Sequence, residues 1–190
     1  MFFVLMTMIT HVWADVGYDY YEFSIETAEA NDGDITGKAV TLTRSAENSE
    51  DLAIEFEVSV ISISENTIWE NTTEKHNYVS IGGIYHPTVF SGFDLFLGGY
   101  FTIVDFGVNN PEQESYTGFR TGFRYAATNS IEIASYAEKI DIKDTEPATL
   151  VLEFGYQVDK QNSIKLGYST SSGQDSSDSG LGISYVYYLK

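Results

Sequence analysis

Between residues 92 and 106 the chain alternates strictly: Phe93, Leu95, Leu97, Phe101 and Ile103 share one parity, while Asp94, Gly98, Tyr100 and Thr102 share the other. A period of two puts the two sets on opposite faces of a β-strand. The pattern recurs along the sequence. Tyr21, Phe23 and Ile25 oppose Glu22, Ser24 and Glu26 in a strand over about 17–27, and Leu52, Ile54, Phe56, Val58 and Val60 oppose Glu55, Glu57 and Ser59 over 52–64. Further strands are predicted over 36–45, 77–86, 116–127, 130–140, 148–158, 163–170 and 180–190. Ile61 and Ile63 break the parity of their strand, which predicts a bulge there. The count is ten strands, or eight if a weak stretch such as 36–45 is not one.

The connections keep a beat of their own. Those after the second, fourth, sixth and eighth strands (46–51, 87–91, 128–129, 159–162) are tight, and the others (28–35, 65–76, 107–115, 141–147, 171–179) are mostly longer and polar. An apolar outside, a polar inside, short turns on one rim and long loops on the other predict an all-β fold. The form is a closed antiparallel up-and-down transmembrane β-barrel with both termini on the short-turn side.

Composition sharpens this picture. The chain of 190 residues holds 14 Tyr, 12 Phe and 16 Gly but only 3 Pro and no Cys, which suits many long strands and excludes disulfides and thiolate metal sites. Its net charge of −18, from 28 acids against 10 bases, repels nucleic acid and anionic lipid heads. Residues 1–14, MFFVLMTMITHVWA, are apolar, and Val12-Trp13-Ala14 offers small residues at the −3 and −1 positions of a secretory cleavage site. The segment has no basic start and is too short to span a bilayer as a helix, which takes about 20 residues. The expectation is a signal peptide over 1–14 and a barrel domain over 15–190.

The opening GYDYYEFSIE, the strand pairs GFRTGFRYAATNSIEIASYAEKI and LEFGYQVDKQNSIKLGYSTSS, and the closing LGISYVYYLK resemble the small outer-membrane β-barrel proteins of Gram-negative bacteria, of the outer-membrane protein A and X type. The resemblance covers about residues 15–190. It implies a non-enzymatic, monomeric barrel in the outer membrane with periplasmic termini, surrounded by outer-membrane lipid and lipopolysaccharide and inserted by the barrel-assembly machinery. Members of that family end in Phe or Trp, which the machinery reads; this chain ends in Tyr187-Tyr188-Leu189-Lys190.

Inside such a barrel the parity rule collects Glu22, Glu55, Glu57, Asp94, Arg120, Arg124, Glu132, Glu153 and Lys165. Charges of both signs in a narrow lumen are expected to pair, because an unpaired buried charge is costly. The alternative is a charge-lined, cation-preferring channel for ions or small solutes. Arg120 and Arg124, four apart on one face, have the spacing to grip a phosphate, but nearby glutamates make them ion-pair partners first. The long loops are rich in acids, and Asp32 and Asp34 in Asn31-Asp32-Gly33-Asp34 are the candidate surface ligands for Ca²⁺ or Mg²⁺, although a full calcium loop is absent.

No hydrolase, nucleotide-binding or metalloprotease motif occurs, and no cofactor is expected. His76 and His86 lie about 33 Å apart along an extended strand, too far to share a site. A third reading reverses the faces: a soluble, lipocalin-like barrel with Leu95, Phe119, Leu152 and Ile183 turned inward around an apolar ligand.

Overall fold

A computed structural model describes residues 17–30, 35–66, 71–105, 113–141, 148–172 and 177–189. The leader expected at 1–14 and the candidate ligands Asp32 and Asp34 lie outside these residues. The described chain forms eleven strands: β1 (Tyr20–Ala30), β2 (Ile35–Ser49), β3 (Leu52–Asn66), β4 (Asn71–Tyr85), β5 (Thr88–Phe90), β6 (Phe93–Asp105), β7 (Gln113–Ala126), β8 (Ile131–Asp141), β9 (Ala148–Gln157), β10 (Asn162–Ser172) and β11 (Ser177–Tyr188). Every pairing is antiparallel, sequential neighbours pair except β4 and β5, β1 pairs with β11, and β4 pairs with β6. The result is a closed ring of ten long strands, with β5 as a short eleventh piece. The second strand, the weakest in the sequence, is real and 15 residues long.

β5 owes its separateness to Pro87. Proline has no N–H to give to a ladder, so the β4–β6 pairing stops at Tyr85↔Leu97. The chain then pairs Thr88 with Asp94 and Phe90 with Phe93 around a turn at Ser91-Gly92. Gly92 has φ of 77°, a backbone region that costs a side-chain-bearing residue dearly. The β9–β10 turn is held by the Asp159 carboxylate, which accepts hydrogen bonds from Gln161 N at 2.8 Å and from Asn162 N at 2.9 Å. These donors hold its carboxyl below the usual carboxylate range.

Two expectations are corrected. β3 has no bulge at Ile61 and Ile63: the pairs Ala39↔Ile61 and Gly37↔Ile63 on one side, and Ile61↔His76 and Ile63↔Glu74 on the other, run on without a break. The parity changes because these isoleucines sit on the inward face, where Ile61 lines the loop end of the lumen. A register shift occurs instead between Glu47 and Ser49. The connection expected over 65–76 is partly ladder, since β3 runs to Asn66 and β4 begins at Asn71.

The outer wall is greasy all round. Large apolar side chains on this face, including Leu95, Phe119, Leu152 and Ile183, are between 37% (Tyr187) and 65% (Leu181) exposed. The lipocalin-like reading needed those four side chains inside, so the structure rules it out. A belt of this size is untenable in water and suits a bilayer core. Tyr21, Tyr85, Phe90, Phe93, Tyr156 and Tyr185 lie towards its short-turn edge, with Phe93 stacked on Phe90 at 4.8 Å and on Phe123 at 5.7 Å. Aromatic rings are favoured at that depth, where apolar core meets headgroups. Among the described residues, no helix is long and apolar enough to cross a membrane.

The wall gives a direct test. Leu166 faces outward, 57% exposed, between Ile183 of β11 and Phe154 of β9. Leu166→Arg is expected to destabilise the barrel folded in lipid vesicles by ~2–4 kcal/mol in urea titrations. Ser184→Arg, on the inward parity, carries no such lipid penalty.

Candidate functional site

The inward face encloses a cavity of about 380 Å³. Its width depends on glycine. Several long inward side chains lie beside an inward glycine on a neighbouring strand: Arg120 pairs with Gly98, Tyr100 with Gly82 and Gly118, Tyr136 with Gly122, and Lys165 with Gly155. A Cβ at Gly118 would overlap the Tyr100 ring, and one at Gly122 would overlap Ser135 O and Tyr136 Cβ. The glycines let the large side chains lie along the wall, so the lumen stays open at its middle.

Of the charged residues assigned inward by parity, Glu22, Glu55, Glu57, Arg120, Arg124, Glu153 and Lys165 line this cavity, and Glu132 and Asp94 lie beside Arg124. Arg124 holds Glu132, with Nη2 3.1 Å from both carboxylate oxygens and Nε 3.3 Å from Oε1. Arg120 reaches across from β7 to Glu55 on β3. Lys165 lies 3.2 Å from Glu22 and 3.8 Å from Glu153. Each arginine is therefore engaged with its own carboxylate, and the pair does not converge on a single anion site. Asp94 sits directly across the β6–β7 ladder from Arg124 and is 7% exposed.

Tyrosines stitch this layer together, and sequence reasoning missed them. Tyr20 donates to Glu55 at 2.9 Å, Tyr136 donates to Glu153 at 3.4 Å, and Tyr100 donates to Glu138. Glu26 and Glu138 were also passed over as members of the inner set. Both lie on the same parity as Glu22 and Glu132, so carrying the alternation to the strand ends would have found them. The signal for Tyr100 and Tyr136 was the glycine across the ladder from each; Tyr20, opposite Ser45 and Tyr188, carried none.

Charge is layered along the lumen. Nearer the short turns, Glu22, Glu55 and Glu132 each have a cationic partner. Further towards the loops on the same three strands stand Glu26, Glu57 and Glu138. Among the described residues no cation lies within ion-pair distance of these three.

The short-turn end is closed. Tyr18, just ahead of β1, projects into the lumen and stacks on His86, with ring centroids 3.5 Å apart and planes 9° apart. The Arg124 guanidinium, from the opposite wall, lies 4.7 Å from the Tyr18 ring centroid. Ala53, Ile84 and Phe96 pack with Tyr18 into the one buried apolar cluster recorded among the described residues. His76 is also buried, but it lies towards the loop end of β4, and the two histidines share no site. Among the described residues no cluster has the makings of a metal site.

No family model matches the chain, and no curated protein matches it in sequence. Solved structures do match in shape. The translocator domain of the autotransporter NalP from Neisseria meningitidis superposes with a TM-score of 0.57 at 10% identity, over 98% of this chain and 94% of that one. An outer membrane channel from Pseudomonas putida F1 gives 0.55 at 11% identity, over 88% and 92%. The NanC porin gives 0.52 at 5% identity, over 88% and 100%. The fold is that of small outer-membrane β-barrel proteins, as the sequence resemblance implied.

The ion-pair layer makes a testable statement. Glu132→Gln leaves the Arg124 guanidinium, whose side chain is 7% exposed, without a counter-charge. That variant is expected to lose about 3 kcal/mol of folding stability in detergent or lipid, and adding Arg124→Met is expected to recover part of the loss. Equal stability of Glu132→Gln and the parent would show that the pair is solvated and does not hold the wall.

Proposed function

We propose that this is a non-enzymatic outer-membrane β-barrel whose lumen is held shut at neutral pH, and whose role lies in envelope structure and in what its acidic loops meet at the cell surface. The observation that carries this reading is the floor. Tyr18, His86 and Arg124 stack across the short-turn end, and above them Arg120–Glu55 and the Lys165 cluster tie strands together across the lumen. A barrel of ten strands leaves little space once side chains enter it, and here they bridge it. In this reading both termini are periplasmic, lipopolysaccharide and outer-membrane lipid surround the apolar belt, the barrel-assembly machinery inserts the chain, and it acts as a monomer. It carries no catalytic step.

The second reading is a narrow channel. The cavity of about 380 Å³ supports it, as does the unpaired acidic layer of Glu26, Glu57 and Glu138, which would favour cations. Two structures of similar fold are named as a channel and a porin.

Fractionation and conductance separate these readings. The protein is expected in the outer-membrane fraction, with different mobilities in SDS gels when boiled and unboiled. In planar bilayers at about pH 7.5 it is expected to show no sustained open steps. Steady ion flow at that pH would favour the channel, and a soluble protein with no mobility shift would contradict both.

A further inference from the structure

The polar atoms buried without a hydrogen-bond partner at the floor of the lumen include the Tyr18 hydroxyl and His86 Nε2. The stacked rings that carry them are 4% and 3% exposed. A buried polar group left unpaired is costly. The floor is held by the stacking of the two rings and by the Arg124 guanidinium against Tyr18.

The plug's ring is held by side-chain packing, against His86 and the cluster of Ala53, Ile84 and Phe96, and not by a ladder. β1 begins at Tyr20, so Tyr18 belongs to no ladder, and the nearest backbone tie is Leu189 N to Asp19 O at 2.8 Å. Rotation of the backbone at Gly17 and Tyr18 withdraws the ring without breaking a strand pair. The inward side chains around this level are of mixed size: Ala53, Ala126 and Val186 are small, and Ile84 and Phe96 are larger.

Four groups face His86 from the elements packed against it. Tyr18 covers its ring, Asp94 comes from β6, and Arg124 comes from β7. Asp51, in the β2–β3 turn, accepts the His86 backbone N–H at 2.8 Å through its carbonyl, and its carboxylate adds a weaker attraction. Burial pushes the imidazole below its ordinary value of 6.5, and Arg124 adds to this against the pull of Asp94. The closed floor thus takes a proton less readily than an open one. Closure is fully favoured above about pH 6.5 and weakens as pH falls below that, until the closed floor itself protonates.

We propose that the Tyr18–His86 stack is an acid-released plug: protonation of His86 lets Tyr18 leave the lumen, and the barrel then passes small ions. This adds a second activity to a barrel closed at neutral pH, and it rests on the membrane reading above.

The test is conductance of the full chain folded in planar bilayers in KCl, at about pH 7.5 and about pH 5. The parent is expected to conduct several-fold more at the lower pH. His86→Phe keeps a ring to stack on Tyr18 and is expected to stay closed at both. Tyr18→Ala is expected to conduct at both.

Three outcomes overturn the proposal: no acid response in the parent, an undiminished response in His86→Phe, or a closed Tyr18→Ala. Should His86→Phe fail to fold, the parent and Tyr18→Ala decide between them. Gel mobility of each sample, boiled against unboiled, reports the barrel separately. A chain with no mobility shift counts against the membrane reading, and a folded chain with no acid response counts against the plug.

Discussion

A strand exposed to hydrocarbon cannot leave an N–H or C=O unpaired, because no water is there to take it, and each such group costs several kcal/mol. The pairing of β4 with β6 meets that demand by joining the two ends of an otherwise open sheet. The other features follow from closure. Once the sheet is a ring, each strand has one face to lipid and one to the lumen, so the period-two pattern must separate apolar from polar along all ten. Pro87 is accommodated because it falls in the short connection beside β5, outside the run of ladder from Asn77 to Tyr85.

The lumen must then hold charge without water in bulk. It does so by pairing acid with base close to the short turns, by satisfying the remaining oxygens with tyrosine hydroxyls, and by placing glycines where long side chains need to lie flat. At the floor the Tyr18 hydroxyl and His86 Nε2 are among the buried polar atoms left without a hydrogen-bond partner.

Much of this was legible in the chain. Alternation is a local signal, and on β6 and β11 it assigned faces residue by residue because lipid tolerates no exception. It failed at Ile61 and Ile63, where a lumen can accept an apolar side chain as lipid cannot accept a charge; a break in parity therefore marked a change in the lining, and the strand ran on unbent. The partner of each charge was not legible. Arg120 meets Glu55 across the ring and Tyr18 meets Arg124 from the opposite wall, and such contacts depend on closure and strand tilt, which no local pattern encodes. Tyr18 in particular precedes the first ladder pair and carries no periodic mark.

The separation of faces is the claim on which the whole account stands, and the absence of cysteine makes it directly measurable. Single cysteines placed in turn at 94, 95, 96, 97, 101, 102 and 103 can carry a spin label in vesicles, where collisions with oxygen report contact with lipid. The account predicts high oxygen accessibility at 95, 97, 101 and 103 and low accessibility at 94, 96 and 102. The reverse phase, or no alternation at all, would contradict it.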